Sequence, residues 1–92
     1  MLHADNAYWY PAVRVRSEPL YTNTVSNTAY RGFGGPQGVM AAERWVEDIA
    51  YALGKDPLEI RKANFYGTET DNVTPYHQTV SDNIIHRVVD EL

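Results

Sequence analysis

Apolar positions change their spacing once along this chain, and the change divides it. Up to residue 26 the pattern is short-range: Val13 and Val15 alternate with Arg14 and Arg16, the period-two signature of a strand with one wet face. "AYWY" before that segment and "LYTNTV" after it are rich in aromatic and β-branched residues, which suit a pleated surface. Pro11 and Pro19 bracket the alternation and confine it to an edge or a short strand. From Pro36 the period lengthens. Val39, Ala42, Val46, Ile49, Ala50 and Leu53 then fall on one helical face, and Glu43, Arg44, Glu47 and Asp48 fill the other. Pro36 suits the first helical position, Gly54 suits the residue after the last turn, and Arg44 can pair with Asp48 one turn on.

A second, shorter helix is predicted in "KDPLEIRKANFYG", where Asp56 can cap, Pro57 opens the first turn, Glu59 stands where a capping box wants it, and Gly67 closes the segment. "TETDNVTPYHQTV" is polar and irregular, and Pro75 argues against a central strand. A third helix is expected from Ser81 or Asp82, with Ile84, Ile85, Val88, Val89 and Leu92 as its apolar stripe. That stripe is still running at Leu92, which leads us to expect a boundary not set by the fold. The predicted class is therefore α+β: short extended strands over residues 1–26, a glycine-rich turn over 27–35, a helical pair over 36–66, a loop over 67–80, and an interrupted helix over 81–92.

Composition narrows the function classes more than it names one. With 92 residues the chain is one small domain or a piece of a larger one, and its core must be modest. Eight basic against twelve acidic residues give −4, which argues against a nucleic-acid surface. The absence of cysteine rules out disulfides, zinc thiolates and iron–sulfur ligation by this chain. No apolar run approaches the ~18 residues of a membrane span, and the polar start "MLHADN" is no signal peptide, so a cytoplasmic setting is expected by default.

The candidate chemistry lies in "RGFGGPQG". It is not a P-loop, because Gln37 and Gly38 stand where a Lys and a Ser or Thr would be needed. Nor is it a dinucleotide fingerprint, since counting on from Gly32 lands on Gln37 where a third glycine belongs. What remains is geometric. Gly32, Gly34 and Gly35 permit close approach of a ligand to the main chain, and the amides at the following helix entry suit an oxyanion, a metal-oxo group or a phosphate. Phe33 can offer a ring face to a planar molecule or tuck into the core, and Arg31 can serve the ligand or pair on the surface; spacing alone favours the plainer member of each pair. No catalytic set assembles from His3, His77 and His86 or from the serines, and His86 reads as a solvated face residue of the third helix.

"SNTAYRGFGGPQG", followed by "AAERWVEDIAYALGKDPLEIRKANFYG" and "NVTPYHQTVSDNIIHRVVDEL", resembles the molybdopterin-binding part of the molybdenum hydroxylases, the family of xanthine dehydrogenases and aldehyde oxidases. The opening "HADNAYWYP" looks like the family's H-x-D-N-x-Y passage, so the likeness spans the whole chain. The resemblance implies that the glycine loop lies against a molybdenum centre held by a pterin dithiolene. Arg31 would then contribute through its backbone amide, with Gly32 beside it; Tyr30 would wall the pocket and Phe33 would stack on the substrate ring. No side-chain metal ligand is implied, in keeping with a cysteine-free chain.

Other parts that the resemblance implies fall outside these residues. The family's general-base glutamate belongs to a later Gly-Glu-Pro-Pro-type motif, its second glutamate to an earlier glycine loop, and its substrate arginine just ahead of the position of Met1. FAD and two [2Fe–2S] clusters belong to other domains or subunits. The expectation is thus an internal piece of a purine-oxidising enzyme, inactive alone and, with apolar surface uncovered, prone to self-association. A piece of an aldehyde or other heterocycle oxidase is the alternative within the class. A non-enzymatic binding module with an inherited glycine loop is the alternative outside it.

Overall fold

A computed structural model describes residues 3–92. Its regular elements are α1 (Gly35–Leu53), α2 (Pro57–Asn64) and α3 (Ile85–Glu91). Helix α1 starts where proline can occupy its first turn and stops at Gly54, whose amide returns to the Tyr51 carbonyl at 3.1 Å. The cap of α2 is the one expected: Asp56 Oδ1 accepts from the amides of Leu58 at 2.7 Å and Glu59 at 3.3 Å. The Arg44–Asp48 pair is also present, at 3.1 Å on the open face.

The third helix begins later than expected. Asp82 takes a left-handed φ of 53°, and Asn83 instead turns its Oδ1 to the Ile85 amide at 3.1 Å. Its Nδ2 simultaneously donates to the Tyr66 carbonyl at 2.6 Å, so the helix start is tied to the exit of α2.

The predicted N-terminal strands are absent among the described residues. A strand exists only through a ladder to a neighbour, and residues 11–29 make no backbone hydrogen bond to any described residue. Every residue from 11 to 30 is exposed. The two β-bridges present are isolated, Tyr8 to Phe65 and Val73 to Thr79. Around the first, the Trp9 amide donates to the Asn64 carbonyl at 2.8 Å and the Tyr66 amide to Ala7 at 3.1 Å. This short pairing closes the chain on itself: residues 7–9 run beside the exit of α2.

The core sits where that pairing meets α1. Tyr8, Ala42, Val46, Ala50 and Tyr66 are its buried members, with Tyr10, Ile60 and Phe65 packed around them. Tyr8 stacks on Phe65, ring centroids 5.8 Å apart and nearly parallel. Only half of the predicted α1 stripe is covered, because Val39, Ile49 and Leu53 remain about half exposed. The accessible surface, 7842 Å2, exceeds the ~5,400 Å2 typical of a folded monomer of this mass. A radius of gyration of 15.3 Å against ~12 Å for a compact chain of this length says the same.

His86 departs from its expected place on a solvated face. It is half-buried, edge-on to Phe65 at 5.7 Å, with Nε2 3.0 Å from the Tyr66 carbonyl. Helical periodicity placed it beside charged neighbours, but docking of α3 on the α2 exit turned that face inward.

Candidate functional site

Residues 30–35 form a tight turn that projects ahead of α1. Three consecutive residues are left-handed: Gly32 with φ 99°, Phe33 with φ 52° and Gly34 with φ 83°. Gly32 is sterically required, since a Cβ there would stand 2.8 Å from Pro36 Cδ. For a bulky residue such as Phe33 a positive φ is an outlier costing about 1–3 kcal/mol. The turn holds it through two bonds, the Phe33 amide to the Tyr30 carbonyl at 3.2 Å and the Gly35 amide to Gly32 at 2.8 Å.

Strain of this kind has a directional result. Phe33 is 78% exposed, so its ring is not a core residue, and Tyr30 beside it is 77% exposed. The amides of Arg31, Gly32 and Gly34 find no acceptor among the described residues. A Cβ built on Gly34 would meet nothing within 4 Å, so its main chain is bare. Helix α1 adds its own field: its N-cap is Gly34, no side chain caps it, and no acidic residue sits in its first turn. The positive end of a 19-residue helix is therefore left uncompensated. Tyr30, Arg31, Gly32 and Phe33 are thus brought together on one open turn of donors and aromatic edges. Two clefts of about 380 Å3 flank the start of α1, one reaching Gly34, Gln37, Gly38 and Trp45, the other His3, Val39, Tyr76 and Gln78.

Behind the turn lies a polar cluster that the sequence pattern hid. Glu43, counted above among solvent-facing residues, accepts from Asn6 Nδ2 at 2.8 Å, Tyr8 Oη at 2.6 Å and Arg61 Nε at 2.8 Å. Arg61 reaches on to Glu47 at 2.9 Å. Burial alone would raise the Glu43 carboxyl, but the bonds from Tyr8, Arg61 and Asn6 and the guanidinium charge outweigh it, and the net shift is downward. Tyr8 moves up, first from burial and then from the bond to Glu43, and so stays a donor. Arg61 is pushed further up by its two carboxylate partners. A helical wheel does not reveal this convergence. The one available signal was that Glu43 borders Ala42 and Val46 on the buried stripe. Among the described residues, no three His, Cys, Asp or Glu side chains gather as a metal site.

The turn is thus an exposed surface of bare amides and aromatic rings. Residues 1–65 match the molybdopterin cofactor-binding domain, and the chain belongs to that family. Among curated proteins it is 45% identical over its full length to xanthine dehydrogenase from Dictyostelium discoideum and to xanthine dehydrogenase 1 from Arabidopsis thaliana. It is 43% identical over 99% of its length to xanthine dehydrogenase/oxidase from Gallus gallus. The chain spans about 7% of the length of each of these relatives.

Proposed function

We propose that this chain forms one wall of the molybdenum pocket of a xanthine dehydrogenase-type oxidoreductase that hydroxylates purines such as hypoxanthine and xanthine, with urate as the end product. The observation that carries this reading is the turn itself: bare Arg31, Gly32 and Gly34 amides beside a strained, outward Phe33, in a chain of the molybdopterin cofactor-binding family. The donor set fits the group. Main-chain N–H groups at a helix mouth suit metal-oxo and dithiolene-bound centres, and a pterin-held metal asks for no cysteine.

The cofactor, when bound, would supply the redox chemistry for a hydroxylation with water-derived oxygen. This chain's own residues bind and orient. The Arg31 and Gly32 amides donate to the polar edge of the cofactor, Tyr30 closes the side of the pocket against water, and Phe33 offers its ring to a flat heterocycle. The left-handed φ of Phe33 keeps that ring out of the core before substrate arrives. General-base and charge-stabilising groups come from other segments of the larger protein, as do FAD and the [2Fe–2S] clusters that carry electrons away. A cytoplasmic setting belongs to the same reading, and no helix here is long and apolar enough to cross a membrane. The second reading, an aldehyde or other heterocycle oxidase, uses the same wall; the names of the relatives favour the purine enzyme.

Grafting tests the proposal. Replacing the matching segment of the Dictyostelium enzyme with these residues should leave its molybdenum content and xanthine turnover within a few-fold of the parent. Loss of both in a folded graft would overturn the reading. Alone, mixed with cofactor, xanthine and an electron acceptor, the 92-residue chain should give no urate, because one wall does not enclose a pocket; appreciable turnover would refute that expectation.

A further inference from the structure

Residues 3–8 lie along the first half of α1 and touch it twice. At the lower end, Asn6 and Tyr8 both donate to Glu43. At the upper end, His3 is pressed onto Gly38: a Cβ there would stand 2.6 Å from His3 Cβ and 2.8 Å from its carbonyl oxygen. His3 Nε2 also comes within 4.0 Å of the Cβ position of Gly35. These two glycines open α1, directly behind the turn. Glu43 is bound from the other side by Arg61 of α2, so one carboxylate joins three segments.

We infer that Glu43 is a positioning residue for the glycine turn, acting through residues 3–8, which it fastens along α1 so that His3 backs Gly35 and Gly38. The turn has few other supports. Residues 11–29 before it are exposed and make no backbone hydrogen bond to any described residue, its own bonds are the two across 30–35, and its remaining connection is to the first turn of α1 through the Gly38 amide, bonded to the Gly34 carbonyl at 2.9 Å. Anything that fixes the first turn of α1 therefore fixes the direction of the amides ahead of it. Gly38 fits the same account, because only a residue without a side chain lets His3 come this close. The inference rests on the proposed function only for what the turn is for; its geometry stands without the cofactor.

Glu47 supplies the control, since it shares Arg61 with Glu43 but has no bond to residues 3–8. Amide exchange, read residue by residue on the full chain, compares Gly35 and Gly38 with Lys55, whose bond to the Ala50 carbonyl marks the far end of α1. In Glu43→Ala, exchange at Gly35 and Gly38 should rise roughly tenfold more than at Lys55. Glu43→Gln keeps an acceptor oxygen for Asn6 and Tyr8 and should recover most of that loss, even though it faces Arg61 less well. Glu47→Ala should leave the ratio unchanged. Gly38→Ala, which displaces His3 with Glu43 intact, should reproduce the local effect. Equal acceleration at all amides in Glu43→Ala or in Gly38→Ala, or a turn loosened by Glu47→Ala as much as by either, would overturn the inference. If Glu43→Ala does not fold, the other three variants still decide it. None of these results touches the graft experiment, so the two can fail separately.

Discussion

Residues 3–10 and residues 11–30 are consecutive and both carry exposed-looking aromatics, yet one is fastened and the other is free. The first stretch pairs with the exit of α2, stacks Tyr8 on Phe65 and ties Asn6 and Tyr8 to Glu43. The second makes no backbone bond to the body before Tyr30, leaves Leu20, Tyr21 and Val25 almost wholly exposed, and has only local polar pairs, Arg16 with Glu18 and Thr22 with Thr24. The difference teaches where affinity for other segments is stored. Long-range partners are within reach of 3–10, while the backbone of 11–29 presents donors and acceptors with no partner among the described residues. The glycine turn sits at the junction of the two, with its α1 side held and its arm side open.

Substitution should separate these regions sharply. Tyr8→Ala removes a ring that is 1% exposed and should cost about 3–4 kcal/mol in urea unfolding. Tyr21→Ala, at a side chain in open solvent, should stay within about 0.5 kcal/mol of the parent. Comparable losses at both sites would erase the distinction.

Acid should act on the fastened region first. Glu43 has a folded pKa below its ordinary 4.5, so its contribution is fully present above that value. It is lost as pH falls through the depressed folded value. Equilibrium unfolding followed from pH 6 downward should show a loss of stability beginning near 4.5 that is weaker in Glu43→Gln; identical acid profiles would count against the cluster.

Two smaller effects sharpen the same picture. Asp56→Ala removes the cap of α2 and should cost about 1 kcal/mol, since two amides lose their acceptor. Arg44→Ala breaks an ion pair that resembles Arg61–Glu43 in chemistry but lies in solvent, and should change stability by less than about 0.5 kcal/mol. If Arg44 proved as costly as Arg61, charge pairing rather than convergence on Glu43 would be the stabilising feature.

The helices were legible in the sequence because their information is local. Proline at the start of α1, Gly54 at its end and Asp56 before α2 act within one turn, and the apolar period follows from the helix itself. The turn was legible for the same reason, since glycines before a proline punctuate a chain. Its openness was not, because whether Phe33 is tucked or presented depends on what else the domain supplies. The strand pattern at Val13 and Val15 describes a preference that needs a ladder partner, and none is present among the described residues. Glu43 and His86 were misread as solvent-facing for one shared reason. Their roles depend on residues 37 and 20 positions away in the sequence, Asn6 and Tyr66, which no periodicity connects.

The most direct test is the KM for xanthine in the grafted enzyme carrying Phe33→Ala, with molybdenum content measured on the same sample. If Phe33 is the plate against which the purine lies, KM should rise about tenfold, the worth of one stacked ring, while molybdenum content holds. An unchanged KM at full molybdenum content would contradict the claim that this turn presents its aromatic ring to the substrate.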